Sequence, residues 1–481
     1  MNQITLPAAD LKQALPGLSK VVSRKSTLPV LQSVRLTRNQ DGCVSLSATD
    51  LDVFVSYHLE QSQPGEPLDV LLPFEQLKNT GKGSDVVVIP EAKLKAKLRY
   101  QVAGSSLEQS VATLSPAEFP PLPKVAEAGC KMPENFGECL RQAFESSSQD
   151  SSRYVLQGAY LDVKEPKCHT IVSTNGRCLF AANTFKFDLK QSVNLSRQKF
   201  LEWSGFLIGE CEMAVKTDKS NSGWVKLTTP RWDCVVKQID GNFPNWRQVV
   251  PKDTETWTKI ELSEAAIKQM LNLSSKLPGD DTENRTIQLR VGIKAMHLEG
   301  RNKDDKEFTS AEIADVKITG KPITTALNRE YLQTALRCGL NEIRIHTELE
   351  PLLFLRPGKR LVVMPVRLQG ATTQTGTAKP ASPPQPTTLP KPQAEAKPER
   401  KTMPRTAKNN PPSTTPPAES DSAFSKLITQ VDQIKDSLKN AVHGLATVGD
   451  LIKLAKKERK TTDKEIEAVR AKLRKIQDVT I

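Results

Sequence analysis

The sequence predicts an α+β fold made of three similar units in tandem, on three observations. An apolar run ending in Phe-Pro closes two segments 124 residues apart, at Phe119-Pro120 and Phe243-Pro244, and a Met-Pro strand at Met364-Pro365 closes a third of similar length. Each segment opens with an apolar residue beside Pro or Ser and then helical spacing: Leu6-Pro7, Met132-Pro133 and Leu262-Ser263. Alternating stretches such as Cys43–Thr49 and Trp224–Thr228 carry the period of two that marks strands with one buried face.

Taken in order, each unit reads helix, strands, helix, strands. The first helices follow Leu6-Pro7-Ala8, Met132-Pro133-Glu134 and Leu262-Ser263-Glu264, where proline suits a first turn and serine a cap. The second helices follow Leu72-Pro73-Phe74, Leu195-Ser196-Arg197 and Leu327-Asn328-Arg329. Pro16-Gly17 is expected to end or kink the first helix, because proline cannot donate to the ladder. Antiparallel sheets with two short helices per unit on one face are the natural layering. The units are expected over 1–124, 130–253 and 258–369.

From 370 the composition changes. Residues 371–420 hold twelve prolines and no Phe, Trp or Tyr, which predicts a disordered, semi-extended tether over 370–420. Over 421–481 periodicity returns. Phe424, Leu427, Val431, Ile434, Leu438, Ala441, Leu445, Val448, Ile452 and Ala455 alternate steps of three and four. That seam fits either a coiled coil, with itself or with an unknown partner, or an amphipathic helix lying against the protein's own body. Gly444 and the alanines weaken it.

The chain has 481 residues, 68 Lys and Arg against 55 Asp and Glu, and a net charge of +13. A basic balance favours an anionic partner, yet most of it lies late. Residues 371–481 hold 20 basic against 12 acidic side chains, and the rest 48 against 43. Any nucleic-acid surface on the three units therefore depends on where charges are placed. The eight cysteines form no Cys-x-x-Cys pair and no metal-ligand spacing, which points to a reducing compartment and small core residues. No basic-then-apolar leader opens the chain and no apolar run approaches the ~18 residues of a membrane span. A soluble cytoplasmic protein without a membrane partner is expected.

Catalytic chemistry is not legible. Asn79–Ser84 places Gly83 where a phosphate loop needs Ser or Thr, and Gln76 where it needs its first glycine. The five histidines do not cluster. Asp50 and Asp52 are expected on one face of a strand, as solvated carboxylates. No enzyme, cofactor or metal is expected.

Seven motifs in order carry a family resemblance over about 1–369: Ser26–Leu31, Ser47–Asp52, Thr113–Pro120, Arg153–Gly158, Ser173–Leu179, Asp240–Pro244 and Val362–Leu368. With them the chain resembles the bacterial DNA polymerase III beta subunit, the sliding clamp. The resemblance implies a DNA clamp fold, with two chains joined head to tail as a six-domain ring around double-stranded DNA. It implies as partners the DNA polymerase III catalytic subunit, repair proteins, and an ATP-driven clamp loader. Matching positions imply DNA contacts from Arg24, Lys25, Tyr154, Arg197 and nearby Lys199.

They also imply a pocket for partner peptides between the second and third units. Its matching residues are Leu156, Thr174, Gly176, Arg177, Leu179, Pro244, Val249, Asn328, Tyr331, Val362, Val363, Met364, Pro365, Val366 and Arg367. The chain departs from the pattern in places. Asn175-Gly176-Arg177-Cys178 stands for the family's Asp-Gly-His-Arg, Gln248 where arginine is common, and Glu75 where a basic residue often sits. The segment after 370 is outside the family pattern. These departures leave a second role open, a clamp-like interaction scaffold working through its C-terminal helix without loading on DNA.

Overall fold

The computed structural model describes residues 3–367 apart from 24, 81–82, 126–127, 218–222, 253–256, 280–284 and 304. The predicted tether (370–420) and heptad-patterned segment (421–481) lie outside the described residues. Six α-helices come in three pairs among them: α1 (Ala8–Leu18) and α2 (Phe74–Thr80), α3 (Phe136–Glu145) and α4 (Lys199–Glu202), α5 (Glu264–Lys276) and α6 (Arg329–Arg337). Helices α1, α2, α5 and α6 begin directly after the predicted Pro, Ser or Asn, whereas α3 and α4 begin three residues after Pro133 and Ser196 and have no side-chain cap. The Ser263 side chain accepts from the Ala266 amide to cap α5, and Asn328 caps α6 through the Glu330 amide. The spacing of Phe136, Leu140, Ala143 and Phe144 buries one stripe of α3 against the strands.

Helix α1 departs from expectation: it runs through Pro16 and ends two residues later, at Leu18. Pro16 forfeits its own bond to the Lys12 carbonyl, but little helix lies beyond it to be disrupted, and its carbonyl accepts from Ser19 Oγ at 2.6 Å. Gly17 is required for packing: a Cβ there would come within 2.6 Å of the rings of both Trp203 and Trp232.

Between and after the helices the chain forms antiparallel strands in four sheets, two of them shared by successive copies of the unit. The eight-stranded sheet joins first and second copies where Val53–His58 pairs with Trp232–Lys237, from Tyr57 opposite Trp232 to Val53 opposite Val236. The nine-stranded sheet joins second and third copies where Cys178–Phe185 pairs with Lys359–Val363, Cys178 opposite Val363 and Leu179 opposite Val362. The two junctions use corresponding strands. The remaining strands of the first and third copies form four-stranded sheets that end at Ser105–Ala112 and at Thr309–Ile313.

Alternation sorts the strand side chains. Val53, Val55, Tyr57, Cys178, Phe180, Leu361 and Val363 enter the main core with the buried faces of the helices. The opposite face of the second junction holds a smaller cluster of Val172, Leu179, Ala181, Trp246, Trp257, Leu353 and Val362.

Asp50 and Asp52 do not share a strand face. The strand Val44–Thr49 stops just before them, Leu51 takes a φ of 83°, and Asp50 Oδ1 accepts from the amides of Asp52 (3.1 Å) and Val53 (2.9 Å). Asp50 is a turn-forming residue, satisfying backbone donors that the reversal leaves without a ladder partner.

Candidate functional site

The second junction gathers most of the residues proposed to hold a peptide. Thr174 ends one strand and Cys178 begins the next, so Asn175-Gly176-Arg177 is a tight turn. Asn175 Oδ1 accepts from the Arg177 and Cys178 amides at 2.9 Å each, and Thr174 Oγ1 from the Gly176 amide at 3.0 Å. Gly176 has a φ of 85°, and the Arg153 guanidinium lies 2.9 Å from where a Cβ would be, so glycine answers both demands.

This turn is tied to the third copy twice. Asn175 Nδ2 donates to the Tyr331 hydroxyl at 3.1 Å, and the Met364 amide to the Arg177 carbonyl at 2.9 Å. Beyond it the Val366 amide bonds Ala326 O at 2.7 Å, so Met364, Pro365 and Val366 pass beside the strand that leads into Asn328. Burial raises the Tyr331 pKa, with the neighbouring Cys178 adding to it. Tyr331 therefore stays a neutral hydroxyl on the wall.

Leu179 and Val362 lie side by side on the face away from the main core, against Trp246. Trp246 belongs to a 3-10 turn (Trp246–Val249) that follows exposed Pro244 and ends with Val249 53% exposed. The turn is latched from behind. Asp162, 1% exposed at its side chain, accepts from Trp246 Nε1 at 2.9 Å and from Arg247 Nη1 at 2.6 Å, while Arg247 Nε reaches Glu165 at 2.8 Å. Burial alone would push the Asp162 carboxyl up. The Trp246, Lys164-amide and Arg247 bonds outweigh it and hold the carboxyl below its ordinary range.

The remaining pocket candidates are placed less uniformly. Val363 is fully buried in the main core, on the strand face opposite Val362. Asn328 is a buried helix cap, half-buried Leu156 accepts the Ser148 amide through its carbonyl, and Arg367 is exposed at the last described position. Cys178 also faces the main core, its thiol pushed up to about 12 by burial, and Gln248 is exposed. Sequence reasoning missed Arg153. Its Nη1 also reaches the Asn175 carbonyl at 3.3 Å, and only the fold brings residues 153 and 176 together.

Of the DNA-contact candidates, Tyr154, Arg197 and Lys199 line one cleft of about 630 Å³. Tyr154 is 54% exposed, and Arg197 Nε pairs with Glu202. Lys237, which the sequence did not single out, lines the same cleft, as do Asp52, Glu202 and Asp240. The cleft thus mixes both signs and offers contacts in place of a strong positive field. Lys25 is exposed in the segment after α1, away from that lining, and Arg24 lies outside the described residues.

Sheets running across successive copies of one unit, with paired helices on one face, define the chain as a DNA clamp fold. Residues 3–123 match the family model described as DNA polymerase III beta subunit, N-terminal domain. The beta sliding clamp of Salmonella typhimurium is 24% identical over 380 residues, 76% of this chain and 100% of the relative. That of Escherichia coli K12 is 24% identical over 347 residues, covering 70% and 91%.

Among solved structures, the DNA polymerase III beta subunit of Pseudomonas aeruginosa matches with a TM-score of 0.63 at 21% identity, covering 76% of this chain and 100% of that one. The Streptococcus pyogenes beta subunit gives 0.66 at 15% identity, with the same coverage. The chain is thus similar to the bacterial beta sliding clamps over about three quarters of its length and shares their fold.

Proposed function

We propose that the chain is a DNA sliding clamp, a processivity factor that encircles duplex DNA and tethers the replicative polymerase and repair proteins. The observation that carries this reading is the correspondence of the sheet edges. Each internal junction pairs the third strand after a first helix with the last strand of the next copy. Thr309–Ile313 is the corresponding strand of the third copy and Ser105–Ala112 that of the first, and each stands at the end of its sheet. One chain thus carries both halves of a further junction at its two ends. A head-to-tail contact repeated twice closes the assembly and covers edges that would otherwise template aggregation.

On this reading the repeated domains span 1–124, 130–253 and 258–369. A ring holds DNA by topology and needs only weak, sequence-independent contacts with phosphates, from Arg24, Lys25, Tyr154, Arg197 and Lys199. The second junction takes partner peptides in its apolar wall of Leu179, Val362, Val249, Pro244 and Met364, with Thr174, Arg177 and Tyr331 as polar anchors. The chain acts in the cytoplasm as a non-catalytic subunit that a separate loader must open. The test is retention on DNA: slow loss from closed circles and fast loss from linear molecules. Equal loss from both, with oligomerisation through 421–481, would replace the clamp by a scaffold.

A further inference from the structure

The first junction is built like the second. At the first, Phe54 and Val235 stand opposite each other where Leu179 and Val362 stand at the second. Alternation sends Val53, Val55 and Tyr57 into the main core and leaves Phe54 and Val235 on the other face. The turns match as well: the Lys237 amide bonds the Asp52 carbonyl at 3.0 Å, as Met364 bonds Arg177.

The connecting segments also correspond. The Phe119 ring carries the Arg35 guanidinium at 5.5 Å, and the Phe243 ring stacks on Tyr160 at 4.8 Å. Arg35 and Tyr160 are each the third residue of corresponding strands.

The difference lies three residues further on. At the second junction Trp246 fills the space over the sheet and is buried. At the first the residue is Leu122, which is 52% exposed, and a cleft of about 420 Å³ stays open. Buried Phe54 and Val235 form its floor, with Leu122, Pro123 and Val125 of the connector along it, and Ser56, Lys124, Lys226 and Asp233 complete the lining. The Asp233 carboxylate already pairs with Lys226 and His58, both at 3.2 Å, and accepts from Thr228 at 2.9 Å. Exposed Lys124 is therefore the charge that sets the sign of the rim.

We propose that this cleft is a second docking site, for a short extended peptide that presents a bulky apolar side chain beside a carboxylate. The volume lies within the range of ligand pockets, the apolar side chain packs on Leu122 and Val125 above the floor of Phe54 and Val235, and the carboxylate meets Lys124. The ligand class rests on the peptide reading of the second junction; the site does not depend on ring closure.

The experiment uses the full chain and the pentapeptide EWDLE bearing a benzophenone, with labelled positions mapped by mass spectrometry. The expected result is labelling at 54–56, 122–125 or 226–235. It falls about tenfold in Leu122→Asp and in Lys124→Glu, and persists in Val249→Asp. Both first-junction substitutions are at exposed positions and leave the fold intact, which circular dichroism checks. Labelling confined to the second junction overturns this site and leaves the clamp reading standing. Labelling at neither junction overturns the site and the peptide reading together. A change in solution mass on Leu122→Asp also overturns it, because the face would then be a contact between copies.

Discussion

Leu51 and Gly176 occupy the same place in two copies of one turn, with φ of 83° and 85°. In both, a threonine two residues before accepts the amide of the left-handed residue, at 2.9 Å from Leu51 to Thr49 and 3.0 Å from Gly176 to Thr174. The residue between accepts two further amides. Glycine adopts this conformation freely, whereas a γ-branched leucine bears a steric cost of about 1–2 kcal/mol. Leu51→Gly is therefore expected to leave stability unchanged or raise it by up to about 1 kcal/mol, the gain being cut by the entropy of the unfolded glycine. Gly176→Leu is expected to cost at least about 1 kcal/mol and to displace Arg153. Urea unfolding of both variants checks the pair, and equal effects at the two sites would show that the turns are not equivalent.

The first junction has an acid limb. Burial would raise the Asp233 carboxyl, but His58, Lys226 and Thr228 outweigh it and hold its pKa at about 2. A depressed carboxyl contributes stability that is fully present above its unfolded value near 3.9 and lost as pH falls through about 2. Asp233→Asn should be less stable than the parent at pH 7, by on the order of 2 kcal/mol, and the gap should close between about pH 4 and 2. Urea midpoints at pH 7, 4 and 3 measure it. A gap independent of pH would mean that the asparagine loses packing and not charge pairing.

Ring closure makes a prediction about one strand edge. The two-residue turn at Ala103-Gly104, with φ of 50° and 80°, makes Val102 and Ser105 a hydrogen-bonded pair. Ser106, Glu108 and Ser110 then turn their amides away from the neighbouring strand. Ser110→Pro removes such an outward donor while sparing the hairpin's own bonds. A monomer mass by light scattering, together with rapid loss from circular DNA, is the expected outcome. The same measurement on a chain ending at 369 should still give a dimer, since both edges belong to the three repeated units.

Much of this organisation was legible because it repeats. Phe119-Pro120 and Phe243-Pro244 mark the two connectors, and four of the six helices start directly after a Pro, Ser or Asn that follows an apolar residue, α3 and α4 starting three residues later. What was not legible depends on distant chain segments. Helix α1 passes Pro16 to Leu18, where Trp203 and Trp232 from the second copy pack on Gly17. Asp50 and Asp52 alternate like strand residues, and only the reversal at Leu51 makes Asp50 a turn acceptor. Val362 and Val363 look alike as apolar neighbours, but only their register against Leu179 and Cys178 shows which one faces the pocket. Arg153 lies 23 positions before Gly176 and carries no local signal of the contact.

The latch behind the second junction separates holding the pocket from lining it. Asp162 touches no peptide position, yet it fixes both Trp246, on which Leu179 and Val362 pack, and Arg247. Removing it leaves a buried indole donor without its acceptor and a guanidinium with only exposed Glu165. Breaking such a buried, charge-assisted pair costs on the order of 3 kcal/mol. Asp162→Ala should therefore loosen the Trp246–Val249 turn and weaken peptide binding at this junction about tenfold, while retention on circular DNA stays as in the parent. Asp162→Asn keeps one acceptor for the indole and should fall between the two. Fluorescence anisotropy with a peptide derived from the polymerase reads the affinity, and quenching of Trp246 by acrylamide reads the turn. If affinity drops while quenching does not change, the latch acts through charge and not by holding the wall.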